Sequence, residues 1–223
     1  TWSDRSTSDS WAGWAAIRMP PFPRRHRSRS EQPHTRHRRT ASVTLKTVHV
    51  VALVFDGVVS REVLGPLGSF DAAGASCELQ SAGGGHCDGF DPYEAIETVP
   101  FRPCAPDVLI VPGGFGWRRL AHDPAVGGWL TGVAGRASTV LAVSTGSLLL
   151  DALGLVDQRP VTGHWLSAHA FERTPGSATL GQRIVDTGWL VTAAGAVSAI
   201  RAAAQIIERR TDGADLARSG RSG

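Results

Sequence analysis

The stretch TVLAVSTGSLLL, residues 139–150, decides the fold class. Thr139 to Val143 is an unbroken apolar and β-branched run, the pattern of a strand covered on both faces. A helix reading from Ser147 to Leu153 follows at once, so only Ser144, Thr145 and Gly146 are left to turn the chain from strand to helix. Small residues flank the turn, and Ala142-Val143-Ser144-Thr145-Gly146 fits the small-x-nucleophile-x-small pattern of a nucleophile elbow.

The same grammar repeats outward from this turn. Val48 to Phe55 (VHVVALVF) and Asp107 to Pro112 (DVLIVP) are further buried-strand runs, with a short strand from Cys77 to Ser81 between them. Ser60 to Ala73 places Val63, Leu64, Leu67 and Phe70 on a helical stripe ended by Gly74, and Pro66 predicts a late start or a kink. Gly83-Gly84-Gly85 opens an irregular stretch that reaches Pro106. Asp123 and Pro124 supply the N-cap and first position of a helix through Trp129, Leu130 and Val133. Ile184 to Thr192 reads as a hairpin around Asp186-Thr187-Gly188, and Ala196 to Ile207 as the last helix before a polar segment. Strands alternating with helices predict an α/β fold, a mostly parallel sheet with helices on both faces. Ligands then bind beyond the carboxyl ends of the strands.

A chain of 223 residues suits one domain with a well-buried core. The formal charge of +3 conceals an asymmetry: residues 1–46 hold 10 of the 23 Lys and Arg but 3 of the 20 Asp and Glu, which leaves the rest at −4. An acidic body gives no reason to expect nucleic-acid binding by the folded domain. Residues 1–46 read as a disordered basic tail rich in Ser, Arg, His and Pro, whose seven arginines from Arg24 to Arg39 are most simply solvated. The only methionine is Met19, so residues 1–18 are read as not native, and their three tryptophans are left out of the core. The domain is expected at 47–211, and 212–223 as a flexible or truncated tail.

Cys77, Cys87 and Cys104 show no CxxC spacing, so no disulfide framework or zinc ribbon is expected, and a reducing compartment fits. His86-Cys87-Asp88 carries metal-capable side chains, but no second cluster lies at ligand spacing, and it reads as a surface loop. No apolar run is long enough to span a membrane, and no signal-peptide core is visible, so a cytoplasmic protein is expected.

Three features fall at carboxyl ends of predicted strands. Ser144 stands either as a nucleophile at its elbow, where free amides and the helix dipole favour negative charge, or as an ordinary helix N-cap. Gly113 and Gly114 in Pro112-Gly113-Gly114 either bring a backbone amide to an oxyanion, with the Thr145 amide as second arm, or form a tight turn. His164 in Thr162-Gly163-His164-Trp165 is either a base or a packed core histidine.

Together these blocks resemble the ThiJ/PfpI superfamily, which has the class I glutamine amidotransferase-like fold, and particularly isonitrile hydratases and the amidase-like domain of AraC-type regulators. The resemblance rests on Glu62 to Pro66 (an acidic residue, two residues, then GP), DVLIVPGG, the LxxDPxxxxWL pattern from Leu120, STGSLLL followed by LGL, and His164-Trp165. It implies a flavodoxin-like three-layer sandwich, usually dimeric, with a nucleophilic cysteine at the elbow, a neighbouring carboxyl group and often a histidine. Carried over by position these are Ser144, Glu62 and His164; taken alone, Glu62 reads equally as a solvated carboxylate.

The departure lies at the centre: the resemblance implies CTG where this chain reads STG. A thiol can be ionised at a helix N-terminus, whereas a serine hydroxyl must lose its proton to a base as it attacks. Oxidation sensing by a thiol at this position is excluded. Two functions stand open. One is a small hydrolase, hydratase or amidase-like enzyme that needs no metal or organic cofactor. The other is a silent small-ligand-binding domain like the sensor domains of AraC-type regulators, whose helix-turn-helix region would need more chain than follows Arg210.

Overall fold

The computed structural model describes residues 48–90, 95–171, 178–179 and 181–219, with side chains as far as residue 211. The expectations for the basic tail and for the three tryptophans within it lie outside the described residues. Among the described residues eight strands form one sheet in the order β3-β4-β2-β1-β5-β6-β8-β7. They are β1 (His49–Leu53), β2 (Ser76–Ser81), β3 (Gly85–Asp88), β4 (Ala95–Pro100), β5 (Val108–Val111), β6 (Thr139–Val143), β7 (Ile184–Asp186) and β8 (Leu190–Ala193). The helices are α1 (Ser60–Ala72), α2 (Trp117–Leu120), α3 (Pro124–Ala134), α4 (Gly146–Ala152), α5 (Ala168–Phe171) and α6 (Ala196–Ser219), with a 3-10 turn at Trp165–Ser167.

The four central strands are the apolar runs of the sequence, and their burial explains why. Every residue of β5, β6 and β8 is buried, as are the last four of β1, so these strands carry no polar face to alternate with. They pair in parallel with Val50 opposite Val108, Val111 opposite Ala142 and Val143 opposite Ala193. All four therefore end on the same side, and the loops after Leu53, Val111, Val143 and Ala193 are gathered there. Right-handed crossovers send α1 to one face and α3 and α4 to the other, because β1–α1–β2 and β5–α3–β6 step in opposite directions along the sheet. On its face α1 packs against α6, close enough that a Cβ on Gly65 would stand 3.1 Å from Ile200 Cγ1.

Four local expectations are corrected. Helix α1 runs unbroken from Ser60 through Pro66, because its first turn is anchored: Val59 N–H donates to the Gly113 carbonyl and Glu62 N–H to the Val59 carbonyl. The stretch read as irregular contains the antiparallel pair β3–β4, in which only Cys87 and Ile96, opposite each other, are buried, so no apolar run advertised it. The His86-Cys87-Asp88 segment is thus strand, not loop; His86 lies 3.6 Å from Glu97, and no group of metal-capable residues occurs among the described residues. The last helix continues past Ile207 to Ser219, its polar segment being built largely of strong helix formers. The Asp123 cap is as read, accepting from the Ala125 and Val126 amides, and Trp129 is core, stacked on Phe101 with its indole N–H donating to Gln80. No described helix is long and apolar enough to cross a membrane.

At the opposite end of the sheet, Asp107 ties three segments together. It accepts from the His49 amide at 2.9 Å and from Arg210 Nη1 at 3.0 Å, while Arg210 Nη2 donates to the Asp107 carbonyl at 2.7 Å. Arg210→Ala is expected to cost about 1–3 kcal/mol, since it strips two charge-assisted bonds from a half-buried acceptor. Urea unfolding checks this, and an unchanged midpoint would show that α6 is held by its apolar contacts alone.

Candidate functional site

Glu62, Gly113, Ser144, Thr145, His164 and Gly195 meet where the central strands end. Ser144 follows β6 directly and has φ of 56°, a left-handed conformation that costs a residue with a Cβ on the order of 1 kcal/mol or more. The surroundings impose it. Ser144 N–H donates to the Ala193 carbonyl at 2.8 Å, and its own carbonyl meets the Ser147 hydroxyl at 2.9 Å, which also lies 3.0 Å from the Thr162 carbonyl. A Cβ on Gly146 would stand 2.1 Å from the Val111 carbonyl oxygen, so only glycine lets α4 start this close to β5. The capping alternative for Ser144 does not hold: the residue preceding α4 is Thr145, and no side chain caps the helix.

Glu62, in the first turn of α1, is 4% exposed and its Oε2 accepts the Gly113 N–H at 3.0 Å. It is not a solvated carboxylate. Burial pushes its pKa from 4.5 up to about 7, against the Gly113 N–H, the Ser144 hydroxyl and the nearby Arg61 charge, all of which favour the anion. The Ser144 hydroxyl borders the same side of position 113 as the Glu62 carboxyl and is among the groups that favour its charged form. Gly113 makes this possible by having no side chain: a Cβ there would lie 2.6 Å from Glu62 Oε2 and 2.9 Å from Ser144 Oγ.

The glycine turn is thus more than a turn, and its two amides do different work. Gly113 N–H holds Glu62, and Gly114 N–H donates to Thr145 Oγ1 at 3.0 Å, with that hydroxyl 3.2 Å from the Gly114 carbonyl. Gly114 is therefore engaged, and the arm expected from its amide is closed in this arrangement. The Thr145 N–H has no acceptor among the described residues and is the amide free to meet an anion.

His164 is brought to the site but not to the Ser144 hydroxyl. It is half-buried at the start of the 3-10 turn, and its Nδ1 accepts the Leu166 amide at 3.3 Å. No hydrogen bond joins it to Ser144 among the described residues. Trp165 beside it is 71% exposed, outside the core in which the packed-histidine reading would place the pair. Trp117 is half-buried, with the Arg118 guanidinium 4.6 Å from its ring centroid.

Sequence reasoning missed Gly195. It follows β8, the strand beside β6, and a Cβ there would lie 3.7 Å from His164 Cδ2 and 3.9 Å from Glu62 Oε1. Its signal was its place at the carboxyl end of an apolar strand, the same rule that located Gly113 and Ser144.

A doubly wound α/β protein with a buried carboxyl group and a strained serine at its strand ends is the class that this fold and site define. Residues 48–209 match the DJ-1/PfpI family, and the chain belongs to that family. Among curated proteins it is 36% identical over 104 residues to an isonitrile hydratase of Pseudomonas putida, covering 46% of this chain and 45% of that protein. It is 33% identical over 125 residues to an uncharacterised protein of the cpoL 5′ region in Streptomyces lividans, covering 52% and 86% of the two chains. Among solved structures a THiJ/PfpI family protein from Pseudomonas syringae superposes with a TM-score of 0.69 at 22% identity, covering 85% of this chain and 81% of the other. Drosophila melanogaster DJ-1beta gives 0.64 at 18% identity, covering 73% and 89%. A candidate transcriptional regulator from Vibrio parahaemolyticus gives 0.64 at 20% identity, covering 73% and 91%. These structures share the flavodoxin-like fold.

The raised Glu62 pKa makes stability depend on pH with a definite sign. Between 4.5 and about 7 the folded chain binds the Glu62 proton more than the unfolded chain does, so stability contributed by the neutral form is present below 4.5 and is lost as pH rises through about 7. Glu62→Gln, which keeps an acceptor for Gly113 but never ionises, is expected to be more stable than the parent at pH 8 by about 3 kcal/mol at most, with little difference at pH 4. Denaturant unfolding at both pH values tests this; equal differences at the two would mean that Glu62 is not protonated in the fold.

Proposed function

We propose that this chain is a small-molecule hydratase or hydrolase acting at a C–N multiple bond or an acyl carbon, with Ser144 and Glu62 as the reacting pair. One observation carries the reading: a buried carboxyl whose pKa lies near neutrality, beside the hydroxyl of a serine held at positive φ. Strain and a perturbed pKa at one point are what general acid–base chemistry requires.

In this scheme the Ser144 oxygen, or a water that it holds, bonds to the electrophilic carbon and gives its proton to the Glu62 carboxylate. In a nitrile or an acyl group the electron pair of the multiple bond passes to the nitrogen or oxygen, facing the free Thr145 amide; in an isonitrile it stays on the terminal carbon. Glu62 then returns the proton to the nitrile nitrogen or the isonitrile carbon, or, at an acyl carbon, to the leaving nitrogen or oxygen as the carbonyl re-forms and that bond breaks. Where Ser144 itself attacked, water adds to the same carbon through Glu62 and the Ser144 oxygen leaves with the returned proton. A group of pKa about 7 is half ionised at neutral pH and serves both directions. No metal or organic cofactor enters the scheme. The likeness to an isonitrile hydratase supports isonitriles, which take up water at their terminal carbon, as the first substrates to try.

The second reading is a silent small-ligand-binding domain. It is favoured by the missing Ser144–His164 hydrogen bond and by the Gly114 amide being tied to Thr145. The proposed assembly under either reading is a homodimer, for which Leu64, Val197 and Ile200 offer an exposed apolar strip where α1 and α6 join. Nucleic acid and membrane are not among the proposed partners of the folded domain.

A panel of isonitriles, nitriles, small amides and esters separates the two readings. Ser144→Ala and Glu62→Gln are each expected to lower kcat/KM by at least about a hundredfold. Because Glu62 must begin as the carboxylate, kcat/KM should rise with pH through about 7. Turnover unchanged in Ser144→Ala would eliminate the reacting pair, and binding without turnover in the parent would establish the silent domain.

A further inference from the structure

We propose that three fully buried hydroxyl residues, Thr192, Thr162 and Ser147, form one hydrogen-bonded chain that positions Ser144. The proposal deepens the Ser144–Glu62 reading and rests on it only for the effect on turnover.

Ser147, Thr162 and Thr192 have no exposed surface. Burying a hydroxyl costs free energy unless it is hydrogen-bonded, so three in one core region call for partners. They come from α4, the stretch after Val161, and β8, yet their contacts connect end to end. The Thr192 hydroxyl donates to the Val185 carbonyl of β7 at 3.5 Å and accepts the Thr162 N–H at 2.9 Å. The Thr162 hydroxyl donates to the Gln182 carbonyl at 2.7 Å, so this residue is held from two sides. Its carbonyl lies 3.0 Å from Ser147 Oγ, which is 2.9 Å from the Ser144 carbonyl.

The last link gives the chain its direction. A serine hydroxyl has one hydrogen and neither carbonyl can donate, so Ser147 shares a single proton between two acceptors. Thr162 is fixed by Thr192 and Gln182 without Ser147, whereas Ser144 is strained at φ of 56°. Ser147 therefore carries the fixed position of Thr162 over to the strained residue. Packing closes the same joint: a Cβ on Gly163 would lie 2.9 Å from the Ser144 carbonyl oxygen and would collide with the Phe171 ring. The chain ends on the Ser144 backbone, which aims the side chain. Its members are positioning residues and touch no reacting atom.

A double-mutant cycle tests the coupling, read by NMR at the Ser144 carbonyl carbon. Ser147→Ala removes that carbonyl's donor and should move its signal upfield. Thr192→Val, of nearly the same shape but unable to accept the Thr162 N–H, should shift the signal in the parent and not in Ser147→Ala. Thr192→Ser keeps the hydroxyl and should leave it in place. An unmoved signal in Ser147→Ala would overturn the proposal. So would equal shifts from Thr192→Val in both backgrounds, which would mean that Thr192 reaches Ser144 through the Ala193 carbonyl that accepts the Ser144 N–H. If a variant does not fold, a neutron structure of the parent decides: a Ser147 hydrogen aimed at either carbonyl supports the chain, and one aimed at neither overturns it. Where a panel compound is turned over, Ser147→Ala should lower kcat at least about tenfold and change KM by less than about twofold. A purely structural role would instead reduce the folded fraction and leave both constants of the folded enzyme unchanged. Absence of turnover in the parent would defeat the catalytic reading alone, since the carbonyl signal is read without substrate.

Discussion

The hydrogen bond from Gly113 N–H to Glu62 is the constraint on which the site depends. It joins the first turn of α1 to the loop after β5, and it can form only because position 113 has no Cβ to separate the carboxyl from Ser144. The same loop fixes α1 a second time, through the Val59 amide and the Gly113 carbonyl. The arrangement holds a carboxyl out of water with too few donors to keep it ionised at low pH. That balance, with burial outweighing three stabilising partners, is what sets its pKa near neutrality.

Serine at position 144 raises the demands on that balance. A hydroxyl is not ionised by a helix N-terminus, so its reactivity depends on a base within hydrogen-bond reach. Glu62 is the group that meets this condition, and His164, spaced suggestively in the sequence, does not. The strained backbone at Ser144 is sustained by Gly146, Gly163 and Ser147, none of which touches the carboxyl. Strain and electrostatics are thus maintained by separate contacts.

Much of the fold was legible because its central strands are buried on both faces and leave unbroken apolar runs. What escaped was built from exposed residues: β3 and β4 bury one side chain each, and the end of α6 is polar. In the site, Ser144 and Gly113 could be located because each lies at or just beyond the carboxyl end of a central strand, and Glu62 because the Glu62 to Pro66 segment fits the pattern of the family resemblance. Their pairing could not be read, since whether Ser144 meets a carboxyl or an imidazole depends on angstrom-scale placement of segments far apart in the chain. Gly195 was passed over because it has no side chain to mark it, and its closeness to Glu62 and His164 exists only in the folded chain.

The central claim is that Glu62 exchanges a proton at neutral pH in contact with Ser144. Its most direct test is the carboxyl carbon shift of Glu62, followed by NMR across pH in the parent and in Ser144→Ala. The account predicts a midpoint near 7 in the parent, rising in the variant because a hydrogen bond to the anion has been removed. A midpoint in the ordinary carboxylate range, or one that Ser144→Ala leaves in place, would contradict it.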